Sequence, residues 1–84
     1  MAMPPIGKWK GGDGTFQLDF EGRKYFVEPA LLKKGYVLIV RHANGADEFI
    51  NHSGGSGGAI AYRFNTPAQA VAAARKFSAR EGWE

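Results

Sequence analysis

The chain has 84 residues, a formal net charge of +3, 13% aromatic residues and no cysteine, which bounds it to one small domain with a single thin core. Without cysteine there is no disulfide scaffold, cysteine-ligated zinc site or thiol catalysis. The opening MAMPPIGKWK has no apolar run of the secretory type and no segment approaches membrane-span length, while so mild a positive charge fits an acidic partner without selecting one.

Residues 1–13 carry Pro4, Pro5, Gly7, Gly11 and Gly12 and read as an irregular N-terminal arm with Ile6 and Trp9 as anchors, ahead of a single α+β domain over 14–84. TFQLDF alternates, with Phe16, Leu18 and Phe20 on one face and Thr15, Gln17 and Asp19 on the other, the period of a half-buried strand. A two-residue turn at Glu21-Gly22 pairs Phe20 with Arg23, Asp19 with Lys24, Leu18 with Tyr25 and Phe16 with Val27. Apolar then faces apolar, and a carboxylate faces an ammonium.

EPALLKKG reads as a short helical turn: Pro29 suits its first position, Gly35 its left-handed stop, and Lys33 and Lys34 its negative dipole end. In YVLIVRHANGADEFIN, Asn44-Gly45 is a strong hairpin signal. A type I′ turn there predicts the pairs His42–Asp47, Arg41–Glu48, Val40–Phe49 and Ile39–Ile50.

The tract GGSGG follows. A phosphate loop needs a lysine and then Ser or Thr after its glycines, and here Ala59 and Ile60 come next; a dinucleotide fingerprint needs a helix after the glycines, and here a strand follows. The expectation is a mobile hairpin connection. AIAYRF then alternates as a strand, with Ile60, Tyr62 and Phe64 on one face. NTPAQAVAAARKFSAREG is a helix with Thr66 as N-cap, Pro67 at its first position, Gln69 completing a capping box and Gly82 as its stop. Ala70, Val71, Ala74 and Phe77 form its apolar stripe.

The expected fold is therefore α+β: a mostly antiparallel sheet of four to five strands with one C-terminal helix packed on it, in the order ββ-turn-βββα. YVLIV is apolar on both faces, and such strands are usually covered on both sides. One helix covers only one side. The other is left to the arm through Ile6 and Trp9, to sheet curvature with the first hairpin wrapping round, or to a second copy or target protein.

Catalytic constellations are weak. His42 and His52 beside Asp47 or Glu48 carry metal-ligating atoms, but His42 is more simply a cross-strand partner of Asp47. Ser53 or Ser56 with His52 and Asp47 has no strained nucleophile turn, and Asp19 with Glu21 lies on an exposed hairpin. The expectation is no enzyme, no cofactor and no metal. Lys8, Lys10, Arg23, Lys24, Lys33, Lys34, Arg41 and Arg63, interleaved with Trp9, Tyr25 and Tyr36, suit phosphate contact and base stacking. No RNP, KH or helix-turn-helix signature accompanies them. The candidate partner-binding residues are Trp9, Arg23, Lys24, Lys33, Lys34, Tyr36, Arg41, His42, His52 and Arg63.

YRFNTPAQAVAAARKF, a strand entering a Thr-capped helix after a run of hairpins, resembles in layout the small phage accessory proteins of the anti-CRISPR type. It also resembles, less closely, the arm-type DNA-binding domains of phage integrases. The resemblance covers residues 14–82 and is one of plan. It implies a binding role, such as inhibition of a nucleic-acid-handling complex, in the cytoplasm of a bacterial host. The expected function is a non-catalytic binding protein that engages a macromolecular partner through its sheet surface and hairpins. A protein partner is favoured over nucleic acid, no membrane is involved, and a homodimer is compatible. The alternative is a small DNA- or RNA-binding module using the basic arm and strands.

Overall fold

The computed structural model describes residues 3–12, 14–30, 34–55 and 63–82. Five strands run antiparallel in sequence order: β1 (Lys10–Gly12), β2 (Thr15–Phe20), β3 (Arg23–Pro29), β4 (Tyr36–Arg41) and β5 (Asp47–Ile50). One helix, α1 (Pro67–Arg80), lies across β3, β4 and β5. This is the small α+β plan read from the sequence.

Alternation and turn chemistry account for the first hairpin. Glu21 and Gly22 adopt φ of 52° and 79°, the paired positive values of a two-residue turn whose twist matches that of the flanking strands. The resulting register is the expected one, from Phe20 opposite Arg23 to Phe16 opposite Val27.

The second hairpin differs by one residue. Arg41 stands opposite Asp47, Val40 opposite Glu48, Ile39 opposite Phe49 and Leu38 opposite Ile50. The turn is longer than two residues: Gly45 N–H donates to the His42 carbonyl and His42 N–H to the Ala46 carbonyl, each at 2.9 Å. Gly45 alone takes positive φ in this loop, at 89°, which is the pattern of a type I turn closed by a left-handed glycine. The Asn44 side chain stabilises it by accepting the Ala46 N–H at 2.9 Å. Because side chains alternate, this single step moves Phe49 to the opposite face from the one that the shorter turn implies.

Two other expectations shift. Pro29 ends β3 opposite Tyr36 instead of starting a helical turn; residues 31–33 lie outside the described residues. The fifth strand is β1, formed from the arm, whereas most of the expected strand 59–64 lies outside the described residues. Phe64 makes an isolated antiparallel bridge to Tyr36, with both N–H···O distances 2.8 Å.

Thr66 caps the helix as its sequence dictates, whereas Gln69 reaches one residue further back than the expected capping box. Thr66 Oγ1 accepts the Gln69 N–H at 3.3 Å, and Gln69 Oε1 accepts the Asn65 N–H at 2.9 Å. Gly82 takes φ of 78° just beyond the end. Ala70, Val71, Ala73, Ala74 and Phe77 face the sheet and join Tyr25, Val27, Leu38, Val40, Ile50 and Phe64 in one core. Tyr25 sits at its centre, edge-on to Trp9, Phe20 and Phe77 at 6.2, 6.3 and 6.4 Å.

The arm does not cross to the far side of the sheet. Met3 and Trp9 are buried in the same core as α1. The Trp9 indole N–H donates to the Pro4 carbonyl at 3.0 Å, and the Arg75 guanidinium donates to the Met3 carbonyl at 3.3 Å. Pairing of β1 with β2 fixes where the arm leaves the sheet. A 3-10 turn at Ile6–Lys8 then brings it against α1. Arm and helix thus share one face.

Candidate docking face of the sheet

The register places the outward side chains of the five strands. Across the middle runs a row of directly opposed residues, Lys10, Gln17, Phe26, Ile39 and Phe49. On one side of it lies the row Asp19, Lys24, Arg41 and Asp47; on the other, Glu28 stands opposite Val37. None of Phe26, Ile39 and Phe49 belongs to the core, and all three are half-buried. Of the two-sided strand, Leu38 and Val40 are sealed beneath α1 while Ile39 stays partly open to solvent. Val37 is only 7% exposed.

The charges on this face are locally arranged. Arg41 Nε and an NH group donate to the two Asp47 oxygens at 2.8 and 3.1 Å, a bidentate geometry that holds the guanidinium in place. It is held 5.0 Å from the Phe26 ring centroid, within cation–π range. The hydrogen bond from Arg41 and its positive charge lower the Asp47 carboxyl below its ordinary value, and Asp47 raises Arg41 in turn. Among the described residues the face carries Lys10, Lys24 and Arg41 against Asp19, Glu28 and Asp47. These charges cancel.

The candidate residues from the sequence are scattered over three places. Lys24 and Arg41 lie on this face, both exposed. Arg23 and His42 lie on the α1 side at the hairpin end. There Arg23 Nε donates to His42 Nδ1 at 3.4 Å, and His42 Nε2 meets Glu48 Oε1 at 2.8 Å. That network assigns the ring hydrogen to Nε2. The pairings are therefore Arg41–Asp47 and His42–Glu48, the reverse of those the shorter turn implies. At the opposite end His52 stacks on Phe64 at 4.5 Å and meets the Arg63 carbonyl at 2.8 Å. Tyr36 is half-buried against the core there, and Lys34 is exposed. Lys33 lies outside the described residues. Trp9 is 6% exposed and is a core residue, not a surface anchor.

The described part of the glycine tract is a built turn. Asn51 Oδ1 accepts from Ser53 N–H, Ser53 Oγ and Gly55 N–H at 2.9, 2.7 and 3.0 Å. Gly54 has φ of 85°, and a Cβ there would stand 2.7 Å from Lys76 Cβ and 2.8 Å from Phe77 N. The glycine lets the loop lie directly on α1. Ser53 Oγ is committed to Asn51 and the His52 ring is turned to Arg63, so no nucleophile–base pair is assembled at these residues. Among the described residues no group of three His, Asp or Glu side chains could hold a metal ion, and no helix is long and apolar enough to cross a membrane.

The residues that define this face, Phe26, Ile39, Phe49 and Glu28, are absent from the candidates drawn from the sequence. Tyr25-Phe26-Val27 held the signal: an aromatic between two core residues must point away from the core. Phe49 could not be placed there without the true turn length. In comparisons with family models, curated proteins and solved structures, nothing matches this chain.

Proposed function

We propose that the chain is a non-catalytic binding protein that docks a protein partner on the sheet face opposite α1. The observation that carries this reading is the row Phe26–Ile39–Phe49, half-buried and outside the core while arm and helix both occupy the other face. An apolar centre bordered by ion-pairing residues is the composition of a protein interface. Phosphate binding draws its affinity from unbalanced Lys and Arg that displace counterions, whereas Arg41 is already bound to Asp47 and Lys24 stands opposite Asp19. Protein is therefore favoured over nucleic acid. The narrower reading, a stoichiometric inhibitor of a nucleic-acid-handling complex in a bacterial cytoplasm, rests on the shared plan with small phage accessory proteins.

The test is site-specific photo-crosslinking in extract of the native host. A photoreactive residue in place of Phe49 captures a discrete protein species, and one in place of the exposed Ala79 on α1 does not. Equal labelling from both positions, or a steeply salt-dependent shift of labelled duplex or single strand by the purified chain, overturns the reading.

A further inference from the structure

We propose that the occupant of this face is a second copy of the chain, packed sheet to sheet about a two-fold axis that runs across the strands along the Lys10–Phe49 row. The inference rests on the docking reading and names its partner. The carrying observation is the order of side chains along β3. Its outward residues are Lys24, Phe26 and Glu28, with Phe26 in the central row. A two-fold along that row lays each strand antiparallel over its own copy. Lys24 then meets Glu28 of the second copy, Glu28 meets Lys24 of the second copy, and Phe26, Ile39 and Phe49 each face their own equivalents. An isologous interface requires this kind of self-complementarity.

The other face-to-face two-fold, with its axis parallel to the strands between β3 and β4, is excluded by charge. It would set Lys24 over Arg41 of the second copy and Asp19 over Asp47 of the second copy, and like charges set against each other oppose association. In the favoured arrangement Arg41 lies over Val37 of the second copy and keeps its own Asp47. Asp19 lies over Thr15. The like pair that remains is Lys10 on Lys10, at the margin, where β1 is exposed and a lysine turns its ammonium to water. At strand and residue spacings of about 4.8 and 3.4 Å the contact is roughly 20 Å by 14 Å. That footprint, about 300 Å² per copy, is smaller than a standard interface, so a weak, reversible dimer that dissociates in the high-micromolar range is expected.

Sedimentation equilibrium tests this with two charge reversals, each on an exposed or half-buried side chain of the sheet surface. The native chain dimerises reversibly as concentration rises through the high-micromolar range. Lys24→Glu and Glu28→Lys alone each weaken the dimer by at least about tenfold, since each sets like charges against each other twice. An equimolar mixture of the two variants associates again, because the acidic face of one meets the basic face of the other. That rescue cannot come from misfolded chains. A native chain that stays monomeric to millimolar concentration, or a mixture no more associated than its components, overturns the proposal. In either case capture of a foreign protein from position 49 leaves the docking reading standing, and capture of nothing from position 49 removes that too.

Discussion

Phe49 stands directly across from Ile39, and with Phe26 the two form a row on the sheet face away from α1. Phe77, on α1, is 3% exposed and packs edge-on against Tyr25. The two phenylalanines therefore contribute to different things. Phe77→Ala leaves a core cavity and costs about 3–5 kcal/mol, whereas Phe49→Ala loses one cross-strand pair and costs less than about 1 kcal/mol. Urea denaturation of both variants measures the difference, and on the proposed docking reading Phe49→Ala is the one expected to weaken partner binding.

Gly54 and Gly45 separate contact from conformation. Both have positive φ, 85° and 89°, but a Cβ on Gly45 meets nothing within 4 Å while one on Gly54 runs into α1 at 2.7 Å. Gly45→Ala is expected to cost about 1 kcal/mol, the strain of a left-handed residue with a side chain. Gly54→Ala adds a further 1–3 kcal/mol or so of overpacking. Equal losses in denaturant midpoint would show that the loop does not press on the helix.

Ser78 is fully buried, and its hydroxyl has no hydrogen-bond partner among the described residues. A buried, unpaired hydroxyl opposes folding, so Ser78→Ala is predicted to stabilise by about 1 kcal/mol. Differential scanning calorimetry would show a rise in Tm of several degrees for a domain of this size. A fall would mean that the hydroxyl is bound.

These residues also mark where the sequence was legible. Thr66, Pro67, Gln69 and Gly82 announced α1 because capping is local chemistry. Glu21-Gly22 set its hairpin because the apolar pattern and turn agreed. At Asn44-Gly45 the apolar pattern did not decide the register. Two registers offered apolar and ion pairs of similar quality, and the longer turn held by the Asn44 side chain prevailed. Trp9 was readable as an anchor but not as to which face, since that depends on the pairing of β1 with β2 and on the contact of the Ile6–Lys8 turn with α1. The outward face was thus half visible: YVLIV declared a two-sided strand, while its neighbour Phe49 depended on a turn.

The Arg41–Asp47 pair makes a small, signed contribution to stability with pH. Asp47 titrates below its ordinary 3.8 in the folded chain because Arg41 hydrogen-bonds and charge-stabilises the carboxylate. The unfolded chain therefore takes up this proton first as pH falls. The contribution is full above about pH 4 and is lost as pH drops through the lower folded value. Both groups are exposed, so the effect is modest and screened by salt. Asp47→Asn should flatten the acid limb of a stability–pH curve below pH 4 and leave its neutral region nearly unchanged.

Ile39 tests most directly whether the Phe26–Ile39–Phe49 row on the sheet face opposite α1 is open in the free chain. Methyl NMR of a dilute sample with a soluble nitroxide compares it with Leu38, its neighbour on the sealed face. Strong broadening of the Ile39 methyls and none of the Leu38 methyls is expected of an open row. Equal protection of the two would contradict it.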